Sequence, residues 1–325
     1  MNAKISVVMA TIVGALTGLG GCEASDLDAE GTTLRADTCP QWKCGFNAAE
    51  VNGRSLQELN LAGLPNADGV RIVGFTPPPL ALLGGYSLAV ENDELVAKRF
   101  GSKLRGSQLI GSIILVQTQI GVVVPVTIVG VSQVASWAAG GAPIVAYTLI
   151  TPELNSLLGV RNVCSGSLLD PLAAAVTVLG GETYNGALKT VNAGMTGWFT
   201  LACAGSAAAK IKLLGYGPQS QFPGTATPAS PAARQATLKM ITADYCGTGH
   251  SYTANGTPLV WTNKAGNVDS SDLHTPGDVE AIWTTNGALC LDATRIAASE
   301  VDCELPTCEG RGVLDGEWIT HLVLD

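Results

Sequence analysis

Asp244 and His250 come nearest, in type and spacing, to acid–base chemistry in this chain. A carboxylate can orient an imidazole as a general base, and folding could bring His274 to the pair. Such a base needs something to activate. The sequence has no Gly-x-Ser-x-Gly elbow, no His-Glu-x-x-His, no phosphate-cradling loop and no dinucleotide fingerprint. Cys246 could act as a thiol nucleophile beside His250, although its place in an even set of cysteines makes a bridge the better expectation. The alternative is structural: Asp244 ties down the loop after its helix, and His250 enters a hairpin. With no nucleophile beside them, Asp244 and His250 stand as catalytic candidates only, and the structural role is preferred.

Metal and ligand chemistry is thin elsewhere. Cys39–Cys44 and Cys303–Cys308 share one spacing and could form a four-thiolate zinc site, but the Cys-x-x-Cys spacing is missing. Asn267, Asp269, Asp272 and Asp278 form an acidic loop that matches no calcium-binding repeat, so it reads as a solvated loop. Trp198, Trp261, Trp283 and Trp318 could stack on sugars if exposed, and otherwise belong to a core. No cofactor and no metal is implied. A formal net charge of −9 with a pI near 4.8 argues against a nucleic-acid partner.

The first residues give a location. Lys4 precedes an uncharged apolar run over 5–18, and Leu19-Gly20-Gly21-Cys22 follows at once. Small residues before a cysteine suit signal-peptidase cleavage and acylation of the Cys22 thiol, so residues 1–21 read as a lipoprotein signal peptide. The expected partner is then the lipid bilayer, reached through Cys22, and the expected location is the cell envelope. Residues 22–50 read as the lipidated cysteine and a flexible acidic tether, 51–103 as an N-terminal β-rich segment, and 104–325 as the main domain. Of the nine cysteines, the eight besides Cys22 are Cys39, Cys44, Cys164, Cys203, Cys246, Cys290, Cys303 and Cys308. An even number in an exported chain predicts disulfides, with the pairing left open.

These residues must be held by a mainly β fold with a few short α-helices, a β-rich α+β domain stabilised by disulfides. Only 14% of residues are charged and glycine is abundant. No charged residue occurs between Arg105 and Glu153. Val, Ile and Thr dominate there, and Gln117-Thr118-Gln119 and Pro125 interrupt it, so strands over 109–116, 122–131 and 144–150 are expected rather than a membrane span. Asn255-Gly256 and Asn286-Gly287 lie between β-forming runs and predict two hairpins with positive φ at both turn residues. Ser206 should cap a helix over 207–214. Ser230-Pro231 should open a second helix, with Leu238, Ile241 and Tyr245 on its apolar face and Gly247 as terminator.

Ala243-Asp244-Tyr245-Cys246-Gly247, at the end of that second helix, carries a family resemblance. With Gly197-Trp198-Phe199-Thr200-Leu201-Ala202-Cys203, Ala209-Lys210 and Gly215-Tyr216 upstream, it resembles the ADYC-domain family. Ser251-Tyr252-Thr253, Gly256-Thr257, Glu280-Ala281-x-Trp283 and Gly287-Ala288-x-Cys290 are similar to that family's downstream block. These are bacterial exported proteins and lipoproteins, frequent in myxobacteria, whose domain has no assigned function. Many relatives carry a cysteine after the Ala-Lys pair and another before the ADYC helix. Ile211 and Arg234-Gln235-Ala236 stand in those regions here, which suits the loss of one bridge. The resemblance implies fold and location but no reaction. A non-catalytic binding or scaffolding lipoprotein, with an envelope protein or glycan as partner, is the leading expectation; a hydrolase using Asp244 and His250, or a carbohydrate-binding module, is the alternative.

Overall fold

The computed structural model describes residues 47–52, 58–153, 159–164, 175–254, 256–269, 275–296 and 301–323. The signal segment, Cys22, the tether to residue 46, Cys39, Cys44, Asn255, Asp272 and His274 lie outside the described residues. Strands β1 (Glu58–Asn60) and β2 (Arg71–Thr76) are followed by β3 (Ser87–Glu91), β4 (Glu94–Arg99) and β5 (Ser102–Arg105). The uncharged stretch then supplies β6 (Ile113–Gln117), β7 (Val123–Val134) and β8 (Ile144–Pro152). Next come β9 (Val160–Asn162), β10 (Val176–Gly180), β11 (Glu182–Asn185), β12 (Thr190–Ala193) and β13 (Trp198–Cys203). Helices α1 (Ala207–Leu213) and α2 (Pro231–Thr242) precede β14 (Leu259–Asn263), β15 (Pro276–Thr284), β16 (Gly287–Leu291) and β17 (Trp318–Val323).

The fold is mainly β, in four layers. The central sheet runs β1-β13-β10-β8-β7-β6-β2, with β9 also paired to β8. On one face lies the small sheet β3-β4-β5. Leu95 and Ala97 of β4 share a core with Tyr147, Val176, Val178, Phe199 and Leu201 of the central sheet. On the other face, Leu179 and Ala202 pack with α1 and α2, and these helices also cover the four-stranded sheet β14-β17-β15-β16. Helix α1 is sandwiched so fully that all seven of its residues are buried, Lys210 and Lys212 included.

The uncharged stretch forms the middle of the central sheet because β-branched side chains fit a sheet buried on both faces. Strand β6 begins at Ile113, later than expected, because a 3-10 turn over Gly106–Leu109 precedes it. Among the described residues, no helix is long and apolar enough to cross a membrane. Strands β1 and β2, from the expected N-terminal segment, pair with β13 and β6. The expected boundary at 103/104 therefore divides the chain order but not the central sheet.

Both helices are capped as their sequences require. Ser206 accepts the Ala209 N–H at 3.2 Å, and Ser230 accepts the Ala233 N–H at 3.1 Å. Helix α2 stops sooner than expected. Ala243 turns left-handed (φ 48°), the Ala243 N–H bonds the Met240 carbonyl and the Asp244 N–H bonds the Lys239 carbonyl. That is a Schellman closure, built here on alanine rather than glycine. Tyr245 and Gly247 consequently lie beyond the helix.

Of the two expected hairpins, one forms. Strands β15 and β16 pair with Thr284 opposite Gly287, so Thr285 and Asn286 make the turn. Among the described residues, Gly287 has positive φ (111°) and Asn286 does not, which corrects the expectation for both turn residues. The other expected hairpin is absent: β14 pairs with β17, and residues 251–253 form no strand. A left-handed pair occurs instead at Asn92-Asp93 (φ 53° and 58°), between β3 and β4.

Among the described residues, three disulfides staple the layers: Cys164–Cys203, Cys246–Cys303 and Cys290–Cys308, separated by 39, 57 and 18 residues in sequence. Each closes a loop whose freedom the unfolded chain would otherwise keep.

Candidate functional site

The segment after α2 lies where both helices, the β11–β12 loop and the β15–β16 hairpin meet. Because Ala243 reverses the chain, Asp244 points inward instead of lying against the helix carbonyls. Its carboxylate is fully buried, and Oδ2 accepts from Lys239 Nζ at 2.5 Å and from the Gly249 N–H at 2.9 Å. Gly249 lies in the loop after the helix, where the structural alternative for Asp244 expects the tie. Lys239 spends its other two protons on the carbonyls of Leu188 (2.9 Å) and Gly247 (3.3 Å). One ammonium thus ties α2 to the β11–β12 loop and to the turn that follows the helix. The Asp244 Oδ1 atom is buried with no hydrogen-bond partner.

Gly249 has to be glycine. Its φ is +92°, and a Cβ there would fall 1.9 Å from the Ala187 carbonyl oxygen.

His250 is exposed, and its ring rests against Tyr252 at 4.3 Å. No hydrogen bond joins it to the buried Asp244, so the expected acid–base pair is not assembled. His321 is half-buried beside the Gly277 carbonyl, on β17.

Tyr245 centres a second buried cluster. Its hydroxyl donates to Glu280 Oε1 (2.6 Å) and accepts the Arg295 N–H (3.1 Å). Arg295 Nε also donates to Glu280 Oε1 at 2.7 Å, and its guanidinium lies 5.3 Å from the Trp283 ring centre. Burial first, then the Glu280 charge, pushes the Tyr245 hydroxyl well above its ordinary range. A third cluster joins Arg234 of α2 to Glu182 (2.6 Å), which accepts the Tyr184 hydroxyl at 2.7 Å. Desolvation raises the Glu182 carboxyl, with the Arg234 charge opposing it. Each acid faces its own cation, and in the second cluster Glu280 Oε2 and Arg295 Nη2 are buried with no hydrogen-bond partner among the described residues.

Sequence reasoning missed Lys239, Glu182, Arg234, Glu280 and Arg295. Arg234 carried a usable signal, since it falls on the same face of α2 as Leu238 and Ile241. A cation at that position must snorkel or find an acid.

Among the described residues, one group brings three metal-ligating atoms within 4.8 Å: Cys246, Asp302 and Cys303. Its two sulfurs are joined to each other, so neither offers the thiolate that a soft metal takes. Asn267 is engaged with Asn263 and the Pro223 carbonyl, and Asp269 and Asp278 are exposed. Trp261, Trp283 and Trp318 are buried in the core and Trp198 is half-buried. They form no planar exposed row.

Three grooves on the described surface are lined by neither Asp244 nor His250. One, of about 430 Å³, has Lys212 in its wall. Lys212 Nζ donates to the carbonyls of Asp93 (2.6 Å) and Val178 (2.9 Å). Burial lowers its pKa to about 8, with Asp93 and Glu94 opposing. The Asp93 carboxylate is itself enclosed, accepting from Gly180 N (2.8 Å), Gln219 N (3.0 Å) and Ser220 Oγ (2.6 Å). A second groove, of about 630 Å³, is apolar and lies between the small sheet and the 3-10 turn at Pro79–Gly84.

These features define a disulfide-stapled, β-rich domain organised around a buried polar core. Residues 106–297, more than half of the chain, match the family model of the ADYC domain, and the chain belongs to that family. No curated protein and no solved structure matches the chain. The matched residues include both helices, the phrase at 243–246 and the three clusters built around it.

Proposed function

We propose that this chain is an envelope-anchored lipoprotein that binds or scaffolds rather than catalyses, with residues 1–21 as signal and Cys22 as the acylated residue. One observation supports it above the others: Asp244, the acid of the family phrase, is fully buried and neutralised by Lys239. Its carboxylate holds three segments together, which is a structural task. A hydrolase would need Asp244 and His250 to meet, and a sugar-binding module would need tryptophans at the surface. The partner is an envelope protein or glycan. Mass spectrometry of the mature N-terminus tests the anchor, with a diacylglyceryl-modified Cys22 as the expected result. An unmodified chain starting elsewhere would sink it. Pull-down from the native envelope tests the binding role, and recovery of a stoichiometric partner is expected.

A further inference from the structure

The β4–β5 hairpin ends in a tip whose composition is unlike the rest of the chain. Lys98, Arg99, Lys103 and Arg105 lie within eight residues of a protein with 18 cations and a net charge of −9. No acid occurs from residue 95 to residue 152. Glu91 pairs with Lys98, Lys103 and Arg105 together, so one carboxylate faces three cations, and no ion pair of Arg99 is seen among the described residues. Their side chains remain accessible: 40% for Lys98, 52% for Lys103 and 36% for Arg105. Between them Phe100 projects fully into solvent, at 104% relative exposure. Leu80, at 105%, projects from the 3-10 turn, and Arg99, the sequence neighbour of Phe100, lines one apolar groove with Leu80 and Ile110. A fully exposed aromatic and an exposed leucine flanked by cations are costly in water and useless to the core.

We propose that this tip docks on an anionic lipid bilayer, with Phe100 and Leu80 entering the interface and the four cations facing lipid phosphates. Charge complementarity selects the partner, since an acidic chain presents a concentrated basic patch around the most exposed aromatic among the described residues. Two features favour a bilayer over an acidic protein. Phe100 stands proud and lines no groove among the described residues, and the groove of about 630 Å³ that Leu80 and Arg99 share is walled by Pro78, Pro79 and Leu104 rather than by further cations that would grip a run of acidic side chains. The proposal rests on the envelope reading only for the source of the bilayer. With Cys22 acylated, the tip would be a second contact that fixes which face of the domain meets the membrane.

The test uses the mature chain from residue 22 carrying Cys22→Ser, so that neither the apolar signal segment nor an acyl group contributes, with Phe100→Trp as a local reporter. Vesicles of phosphatidylglycerol and phosphatidylcholine with brominated acyl chains should quench the added tryptophan emission, whereas vesicles of phosphatidylcholine alone should not. Arg99→Gln with Lys103→Gln should weaken that binding about 30-fold, from about fivefold per cation at an anionic surface. Leu80→Ser should reduce quenching without changing the melting temperature. No quenching with anionic vesicles would overturn the proposal, as would equal quenching by zwitterionic ones. Binding to a polyglutamate peptide but not to vesicles would assign the tip to an acidic protein instead. Six native tryptophans also emit, so the tip is read as the difference in quenching between the Phe100→Trp chain and its Phe100 parent, and the fate of the Cys22 anchor is decided separately, by the mass of the mature N-terminus.

Discussion

Removing the Asp244 carboxylate should destabilise the fold strongly, because it strands a buried ammonium. The side chains of Lys239 and Asp244 are 2% and 0% exposed, and their atoms meet at 2.5 Å. Asp244→Ala leaves Lys239 charged among the carbonyls of Leu188 and Gly247 and deprives the Gly249 N–H of its acceptor. Breaking one side of such a pair costs ~3–5 kcal/mol. Asp244→Asn keeps an oxygen for Gly249 but not the charge that Lys239 requires, so ~1–3 kcal/mol is expected. Lys239→Met alone should cost ~3–5 kcal/mol for the mirror-image reason. The combination Lys239→Met with Asp244→Asn removes both charges and should cost less than the sum by ~2 kcal/mol. Urea unfolding of wild type, the three single variants and the double variant at pH 7 measures this, provided the m-values agree. Asp244→Ala within ~1 kcal/mol of wild type would refute the structural reading. A stable Asp244→Ala that loses an envelope activity would place Asp244 in an active site.

Gly249→Ala combines left-handed backbone with a Cβ 1.9 Å from the Ala187 oxygen, so it should cost ~3 kcal/mol or more. Gly256→Ala, at φ +90° with open space around it, should cost only ~1–2 kcal/mol, and equal losses in thermal unfolding would contradict the packing argument. Opening the 57-residue Cys246–Cys303 loop by Cys246→Ser with Cys303→Ser should cost ~4 kcal/mol. Both of those sulfurs belong to half-buried residues, whereas Cys290 and Cys308 are buried, so limited dithiothreitol followed by alkylation should mark Cys246 and Cys303 first. Earlier labelling of Cys290 and Cys308 would count against this. Burial lowers the Lys212 pKa to about 8 while the unfolded chain keeps the ordinary lysine value. Between these two values the unfolded state binds more protons, so this group makes stability rise with pH, by at most ~1.4 kcal/mol per unit. Lys212→Met should abolish that contribution in urea titrations from pH 7.5 to 9.5, and an unchanged slope would disprove it.

Much of the β architecture was legible because its signals are local. The uncharged stretch carried β-branched residues and a proline, and it became β6, β7 and β8. The capping serines at 206 and 230 placed both helix starts. The misses share a cause: each depended on contacts distant in sequence. Ala243 takes a left-handed conformation that alanine disfavours, held by burial around it, so the helix ended before Tyr245 and not at Gly247. Leu259 pairs with Leu322 across the chain, and the local Asn-Gly signal at 255–256 lost to that pairing. Asp244 was recognised as the key acid of the segment, but its cation was not, since nothing in the spacing of Lys239 marks it as buried. The buried partners Glu182–Arg234 and Glu280–Arg295 lie 52 and 15 residues apart, so although the place of Arg234 on the apolar face of α2 signals a need for an acid, no local pattern names which one.

The pairing of β1 with β13 sets an order of events for the chain. Glu58 faces Thr200, so this edge of the central sheet cannot close until the chain has been made past residue 200. Hairpins β6–β7 and β7–β8 need only neighbours and can zip early, leaving one flank with unpaired amides and bare Val and Phe side chains. The same delay holds β14, which waits for β17. A chain not yet made to β17 therefore presents two sticky edges, and whatever cellular machinery handles it must shield them until that strand arrives. Slow closure of the sheet, more than weak final stability, is the hazard this topology builds in.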